Sequence, residues 1–261
     1  MEIKDRIRAF ISDVYLAVSY FRRNKGVRIL MYHMVHELTL EDKLGLCISS
    51  EDFDRQMAHL YKKGFVVIAL EELVKAIQKG EDLARKSVVI TFDDGFQDNY
   101  LTAFPILKKY GFKATIFLVA DWIGKELEYK GSASLIRRCY LSWDEIEKLK
   151  SWGISFGCHS LSHPDLTNVG EERLRKEIRQ AKEILERHLG EVRFFSYPYS
   201  RWNEKVKKVV QEEGFVAALG HGYGLNDAST HLFALKRVEI KGTDSMREFK
   251  RKVLGGYDYR K

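Results

Sequence analysis

Apolar and amphipathic stretches alternate along the chain. Residues 27–33 form a short apolar run, the pattern of a buried strand. Residues 50–63 follow the helical period: Ser50 can cap, and Phe53, Met57 and Leu60 share one face. Residues 65–68 are strand-like after Gly64, and 70–78 are helical up to Gly80. The clearest strand is 87–92, β-branched, apolar and bounded by charges. Beyond it the spacing predicts a helix over 98–110 and a strand over 114–119. A helix over 142–150 follows, with Ser142 and Glu145 forming a capping box. Then come a strand over 154–157, a long amphipathic helix over 171–188 and a strand over 192–196. A helix over 203–212 and late strands at 215–218 and 235–240 complete the series. Strands separated by helices of this length pair in parallel, so the expected fold is an α/β sheet or a (β/α) barrel. In such folds chemistry gathers where strands end in loops.

Composition narrows this picture. The 261 residues include only 3 Pro and no repeat or linker, which points to one domain with a short appendage. The expected division is an N-terminal amphipathic helix at 1–26 and the domain at 27–261. Ile7, Phe10, Ile11, Val14, Ala17 and Val18 recur at helical spacing. This helix is expected to pack on the domain. The alternative is peripheral contact with a membrane surface, with Arg6, Arg8, Arg22 and Arg23 near head groups. The apolar segment is too short to span a bilayer and lacks a cleavage site. The expected location is therefore cytoplasmic, with membrane association on the inner face as the alternative.

Lys and Arg total 44 against 37 acids, a net charge of +7 spread along the chain. The expected reading is a solvated basic surface, the alternative attraction to an anionic partner such as a phospholipid surface or a lipid-phosphate-linked glycan; no nucleic-acid motif accompanies the charge, so nucleic acid is not an expected partner. Cys47, Cys139 and Cys158 have no paired spacing, which argues against a disulfide framework. Cys158 reads as a small packing residue.

Two motifs carry chemistry. Thr91-Phe92-Asp93-Asp94-Gly95 ends the best strand, and a turn at Gly95 can bring both carboxylates into one pocket. Alone, this pattern favours a plain turn with a helix cap from Asp93 or Asp94. His159-Ser160-Leu161-Ser162-His163 follows the strand at 154–157. Two histidines four apart on one helical turn can face a single ion. One Asp and two His leave room for water on a divalent ion, as in catalytic zinc sites. The second Asp is then free to act as a base.

With these motifs the sequence resembles the polysaccharide deacetylases of carbohydrate esterase family 4, the NodB-homology domain. The resemblance covers about residues 27–240. It implies a distorted (β/α)7-type barrel, preceded here by the N-terminal helix. It implies that Asp93 is the base and that Asp94, His159 and His163 bind a divalent metal, most often Zn²⁺. The family's Arg-x-Pro-Tyr motif is matched by Pro198 and Tyr199, and the resemblance gives the Tyr199 N–H a role at the oxyanion. The motif's arginine is absent, with Ser196 or Tyr197 in its place. Arg237 either replaces it in space or makes a surface ion pair.

The family's C-terminal Leu-x-His has no counterpart near His221 or His231. Residues 29–33 instead deliver His33 from an apolar strand at the other end. This resembles the circularly permuted branch that includes poly-N-acetylglucosamine deacetylases, and it makes His33 the expected general acid. His36 is expected in a loop. Trp143, Trp122 and Trp202 are candidate stacking surfaces for sugar rings, or core and rim packing. The implied activity is removal of N-acetyl groups from an amino-sugar polysaccharide or glycolipid. The alternatives are a non-catalytic glycan-binding relative and a two-His-one-carboxylate iron enzyme.

Overall fold

The computed structural model describes residues 11–13, 15, 26–37, 45–84, 86–130 and 135–260. In chain order the strands begin with β1 Arg28–Tyr32, β2 Met34–Val35, β3 Cys47–Ile48, β4 Val66–Val67, β5 Ser87–Phe92 and β6 Thr115–Leu118. They continue with β7 Glu126–Lys130, β8 Leu135–Cys139, β9 Ser155–Cys158, β10 Phe194–Ser196, β11 Ala217–His221 and β12 Leu235–Glu239. The α-helices are α1 Ser50–Lys62, α2 Leu70–Lys79, α3 Phe104–Tyr110, α4 Trp143–Trp152, α5 Glu171–Leu189, α6 Glu204–Glu212 and α7 Met246–Leu254.

Seven parallel strands close into a ring in the order β1, β12, β11, β10, β9, β6, β5 and back to β1. The barrel is thus sealed by β1, whose Ile29 pairs with Val89 on one side and Arg237 on the other. Strand β4 lies outside the ring, paired to the first residues of β5 before β6 takes over that edge.

The two-residue period of the strands sorts each one into an inner and an outer face. Leu30, Tyr32, Val88, Ile90, Phe92 and Val238 face outward into the helix-covered core. Inside, Ile29, Val89, Phe117, Leu219 and Leu235 share a cluster with Leu70, Leu73, Val74 and Ile77 of α2. Two residues further along each strand the interior becomes polar: Met31 is followed by His33, Thr91 by Asp93, and Arg237 by Glu239. The barrel is therefore a dry plug below and a reactive cleft above.

Several expectations meet local corrections. Residues 98–110 are not one α-helix. Asn99–Ala103 is a π-turn that leads into α3. Pro105 has no N–H to offer the Leu101 carbonyl, and the widened turn accommodates that loss. The antiparallel hairpin β7–β8 and helix α7 were not expected at all. The late strand at 215–218 is instead β11, shifted toward His221. The Ser142–Glu145 capping box is present at α4.

Of the expected N-terminal helix, only residues 11–13 and 15 are described, and they are helical. Asp13 there accepts hydrogen bonds from Arg247 and Arg251 of α7 at 2.8–2.9 Å. The rest of that helix, including its arginines, lies outside the described residues. Among the described residues no helix is long and apolar enough to cross a membrane.

Gly157 in β9 is where strand packing is tightest. A Cβ there would sit 2.4 Å from the Phe117 ring and 3.0 Å from the Phe194 carbonyl oxygen. Gly157→Ala is expected to destabilise the fold by about 1–3 kcal/mol, the usual range for overpacking. Urea unfolding measures it, and an unchanged midpoint would contradict this packing.

Candidate active site

Strand β5 delivers the acidic pair. Asp93 continues its ladder, with its N–H bonded to the Tyr32 carbonyl at 3.0 Å. Asp94 then turns left-handed at φ 72°, followed by Gly95 at φ 73°. Gly95 is obligatory on space as well as conformation, since a Cβ would lie 2.7 Å from Leu118. The turn swings the second carboxylate round, so neighbours on one strand both face the cleft.

The histidines are not on a helical turn, as their spacing had predicted. His159 directly follows β9, with its N–H on the Leu118 carbonyl, and the next residues form an irregular loop. Ser160 at φ 66° and His163 at φ 61° bend it back. Ser160 Oγ accepts the His163 N–H, while buried Glu177 of α5 accepts both the N–H and hydroxyl of Ser162. This pinned loop, rather than helical periodicity, makes the imidazoles converge.

Asp94 Oδ1 lies 3.4 Å from His159 Nε2 and 3.4 Å from His163 Nε2. It is a buried oxygen with no hydrogen-bond partner among the described residues. The three ligand atoms lie within 4.8 Å of one another. Ligand bonds of about 2.0–2.1 Å in a tetrahedral shell place donor atoms about 3.3 Å apart. The set therefore fits a small divalent cation. His159 Nδ1 donates to the Ser196 carbonyl at 2.7 Å, which leaves the Nε2 lone pair facing the set.

Asp93 is held out of this set. Arg237, 0% exposed, grips it through Nη1 to Oδ1 and Nη2 to Oδ2, both at 2.7 Å. Ser196 Oγ donates to the same Oδ2 at 3.1 Å. Burial favours a protonated Asp93, but the Arg237 guanidinium and His159 outweigh it and hold the carboxyl far below the usual range. Asp94 is lowered too, against burial, by His159, His33 and His163. Burial and the neighbouring His159 push His163 down to about 4, so it is a neutral donor. His159 moves the other way: burial is outweighed by the two aspartates.

A cleft of about 410 Å³ opens over these groups, lined by His33, Asp93, Asp94, His159, His163 and Tyr199, among others. The structure thus brings together six of the residues singled out by sequence. Pro198 is not among the lining residues. It is buried and sets the turn that presents Tyr199, whose φ is 55°. Arg237 is neither a surface ion pair nor a substrate contact, because Asp93 occupies its guanidinium below the cleft floor. Trp143 is no sugar platform there: its ring stacks on His188 of α5 at 3.9 Å, away from the cleft. Trp202 stacks on Tyr197, whereas Trp122 lies 5.3 Å from the His163 ring. His221 lines the opposite rim, His36 sits in the bend after β2 facing Asp98, and His231 caps a short turn.

Three contributors were missed. Ser196 bridges Asp93, Arg237 and His159; its only signal was its place two residues before Pro198. Asn99, buried in the π-turn, donates to the His33 carbonyl at 2.8 Å and so fixes where β1 ends. Glu239, the inward residue after Arg237, lines the cleft wall. Cys158 is buried, with its thiol pushed up to about 12 by that burial, in keeping with a packing role.

The sequence profile described as polysaccharide deacetylase matches residues 80–218, more than half of the chain. The chain belongs to the polysaccharide deacetylase family, metal-dependent enzymes that act on N-acetylated glycans. It is 28% identical over 213 residues to the Bacillus subtilis (strain 168) protein YxkH, covering 81% of this chain and 70% of that one. It is 22% identical over 265 residues to the Escherichia coli (strain K12) poly-β-1,6-N-acetyl-D-glucosamine N-deacetylase. That match takes in 88% of this chain but only 39% of the longer relative. Among solved structures, the Streptococcus pyogenes deacetylase PplD in complex with acetate superimposes with a TM-score of 0.76 at 27% identity, over 87% of this chain and 98% of that one.

Two outcomes follow from this geometry. Arg237→Met leaves a buried carboxylate without its partner and is expected to lower stability by about 3–5 kcal/mol in denaturant titration. Adding Asp93→Asn is expected to recover part of that loss, and a purely additive double variant would contradict the pairing. Asp94→Ala and His159→Ala are expected to lose bound metal by elemental analysis, whereas Asp93→Asn retains it.

Proposed function

We propose that this chain is a zinc-dependent N-deacetylase that releases acetate from an N-acetylated amino-sugar polysaccharide or glycolipid. We assign the activity to residues 27–261. One observation carries the reading: two adjacent carboxylates have opposite environments, Asp94 facing two imidazoles and Asp93 locked to Arg237.

Asp94, His159 and His163 would hold the ion. When bound, it supplies Lewis acidity, making a water more acidic and polarising the acetyl carbonyl. Asp93, ionised and oriented by Arg237 and Ser196, is the group that accepts the proton of the attacking water. The backbone N–H of Tyr199, presented by the left-handed turn after Pro198, is assigned to the developing oxyanion. His33 stands at the end of β1, with a buried Nδ1 that has no partner among the described residues. It is assigned to protonate the departing nitrogen. The amide C–N bond breaks, the water oxygen joins the acetyl carbon, and the products are acetate and a free amino sugar.

Family membership and the name of the Escherichia coli relative support a β-linked N-acetylglucosamine glycan as the first substrate to try. Acetate release from such oligomers is expected to stop with chelator and to return with Zn²⁺. Asp93→Asn and His33→Ala are each expected to lower kcat by about 10²–10⁴, the usual worth of general acid–base help. Both should keep the ion. Should His221→Ala rather than His33→Ala show that loss, the acid comes from β11 and the β1 assignment fails.

A further inference from the structure

The ladder between β1 and β5 ends where the Asp93 N–H meets the Tyr32 carbonyl. Just past this last bond stand two residues of the cleft, His33 after β1 and Asp94 after Asp93. The ladder itself does not fix their separation. The His33 ring offers no anchor either, since its buried Nδ1 has no hydrogen-bond partner among the described residues. An imidazole without a ring hydrogen bond takes its orientation from its backbone and its packing.

The next tie between the two segments is a side chain. Asn99, 1% exposed at the start of the π-turn, donates through Nδ2 to the His33 carbonyl at 2.8 Å and to Asp98 Oδ1 at 2.9 Å. A carbonyl can only accept, so the amide has a single orientation here. Asp98 Oδ2 in turn faces His36 Nε2 at 4.0 Å. The opposite edge of the same segment lies on β3: Met34 N–H meets the Leu46 carbonyl at 3.2 Å and His36 N–H the Ile48 carbonyl at 3.1 Å. Residues 33–36 are thus held along both edges. The anchor is itself secured, with Asn99 N–H on the Phe96 carbonyl at 3.0 Å and Gln97 N–H on the Cys139 carbonyl at 2.9 Å. Burying an amide beside a carboxylate costs desolvation that an apolar contact would avoid. The mechanism above uses neither group.

We propose that Asn99, steadied by Asp98, is a positioning residue for proton delivery: it grips the main chain of His33 and so aligns the imidazole with the departing nitrogen. The acid is thereby aligned from the segment that also carries Asp93 and Asp94, five and six residues before Asn99. Base, metal ligand and acid then keep one spacing, although they come from different strands. The assignment rests on the reading of His33 as the general acid. Its signature is selective, because a misaligned acid slows only a step that needs a proton on the leaving group.

The test uses two acetyl donors with the Zn²⁺-loaded full chain. The β-1,6-linked N-acetylglucosamine tetramer loses an amine that must be protonated, whereas 4-nitrophenyl acetate loses a phenolate that needs no proton. Asn99→Leu keeps the volume and removes the donor. It is expected to lower kcat on the tetramer about tenfold, with KM and the rate on the aryl ester held within about twofold. In a His33→Ala background the same change should cost less than about twofold. Equal losses on both substrates, or a full tenfold loss in the His33→Ala background, overturn the positioning role. Asn99→Ser, too short to reach the carbonyl, repeats the test if Asn99→Leu does not fold, and failure of both to fold marks Asn99 as structural and overturns the proposal. If wild type releases no acetate from the tetramer, or His33→Ala leaves that release unchanged, the underlying reading fails by itself. Spectra of ¹⁵N-histidine-labelled protein then still decide what Asn99 does. The His33 ring signals, identified by their loss in His33→Ala, are expected to shift or broaden in Asn99→Leu while those of His159 and His163 stay in place. Unmoved His33 signals overturn the proposal.

Discussion

The buried pairing of Asp93 with Arg237 is the interaction on which the site depends. Two carboxylates on consecutive residues in one dry pocket repel each other and would compete for the same cation. Arg237 removes that conflict by neutralising one of them from below, with two 2.7 Å contacts. Asp94 is then the sole carboxylate left for the imidazoles. Burying an ion pair carries a desolvation penalty that an apolar pair would avoid, so its place in the barrel reflects a division of labour rather than stability. Ser196 joins the two halves: its hydroxyl bonds Asp93 and Arg237, and its carbonyl sets the His159 tautomer.

The barrel makes this pairing achievable because residues far apart in sequence share one interior layer. Arg237 comes from β12 and Asp93 from the end of β5, with β1 between them in the ring. Their side chains meet across β1 because strand alternation aims every second residue inward. The same alternation places His33 above Met31 and Glu239 above Arg237. The apolar layer beneath, from Ile29 to Leu235, excludes water from the base of the cleft and so strengthens the charge interactions at its floor.

Much of this was legible in the chain. Residues 87–92 read as a strand because both faces are buried and the run is β-branched, and the structure makes it β5. Parallel pairing followed from the alternation of strands and helices; the closed barrel and the grouping of Asp94 with His159 and His163 followed from the resemblance carried by two strand-end motifs. The route of convergence was not legible. Histidine spacing suits a helical turn, but Ser160 Oγ and Glu177 hold a left-handed loop instead, and Glu177 sits on a helix that periodicity treats as a mere face. The partner of Asp93 was visible only as an open choice, since nothing in a strand sequence reports which side of a closed sheet a charge points to. The hairpin escaped for the opposite reason: Glu126–Lys130 mixes charge and apolar residues without a buried face, because it packs through a few aromatic rings.

Five residues around the cleft that are not glycine, namely Asp94, Ser160, His163, Tyr199 and Ser200, adopt left-handed backbone. Such conformations are unfavourable for side-chain-bearing residues and persist only where their surroundings enforce them. None lies in a barrel strand, so the scaffold does not require them. Mutational drift at these positions would relax the mouth while leaving the barrel intact. A lineage released from its chemistry can therefore remain well folded after losing its ion, and barrel similarity alone says little about activity. The backbone angles at those five positions are the more telling trace of a working enzyme.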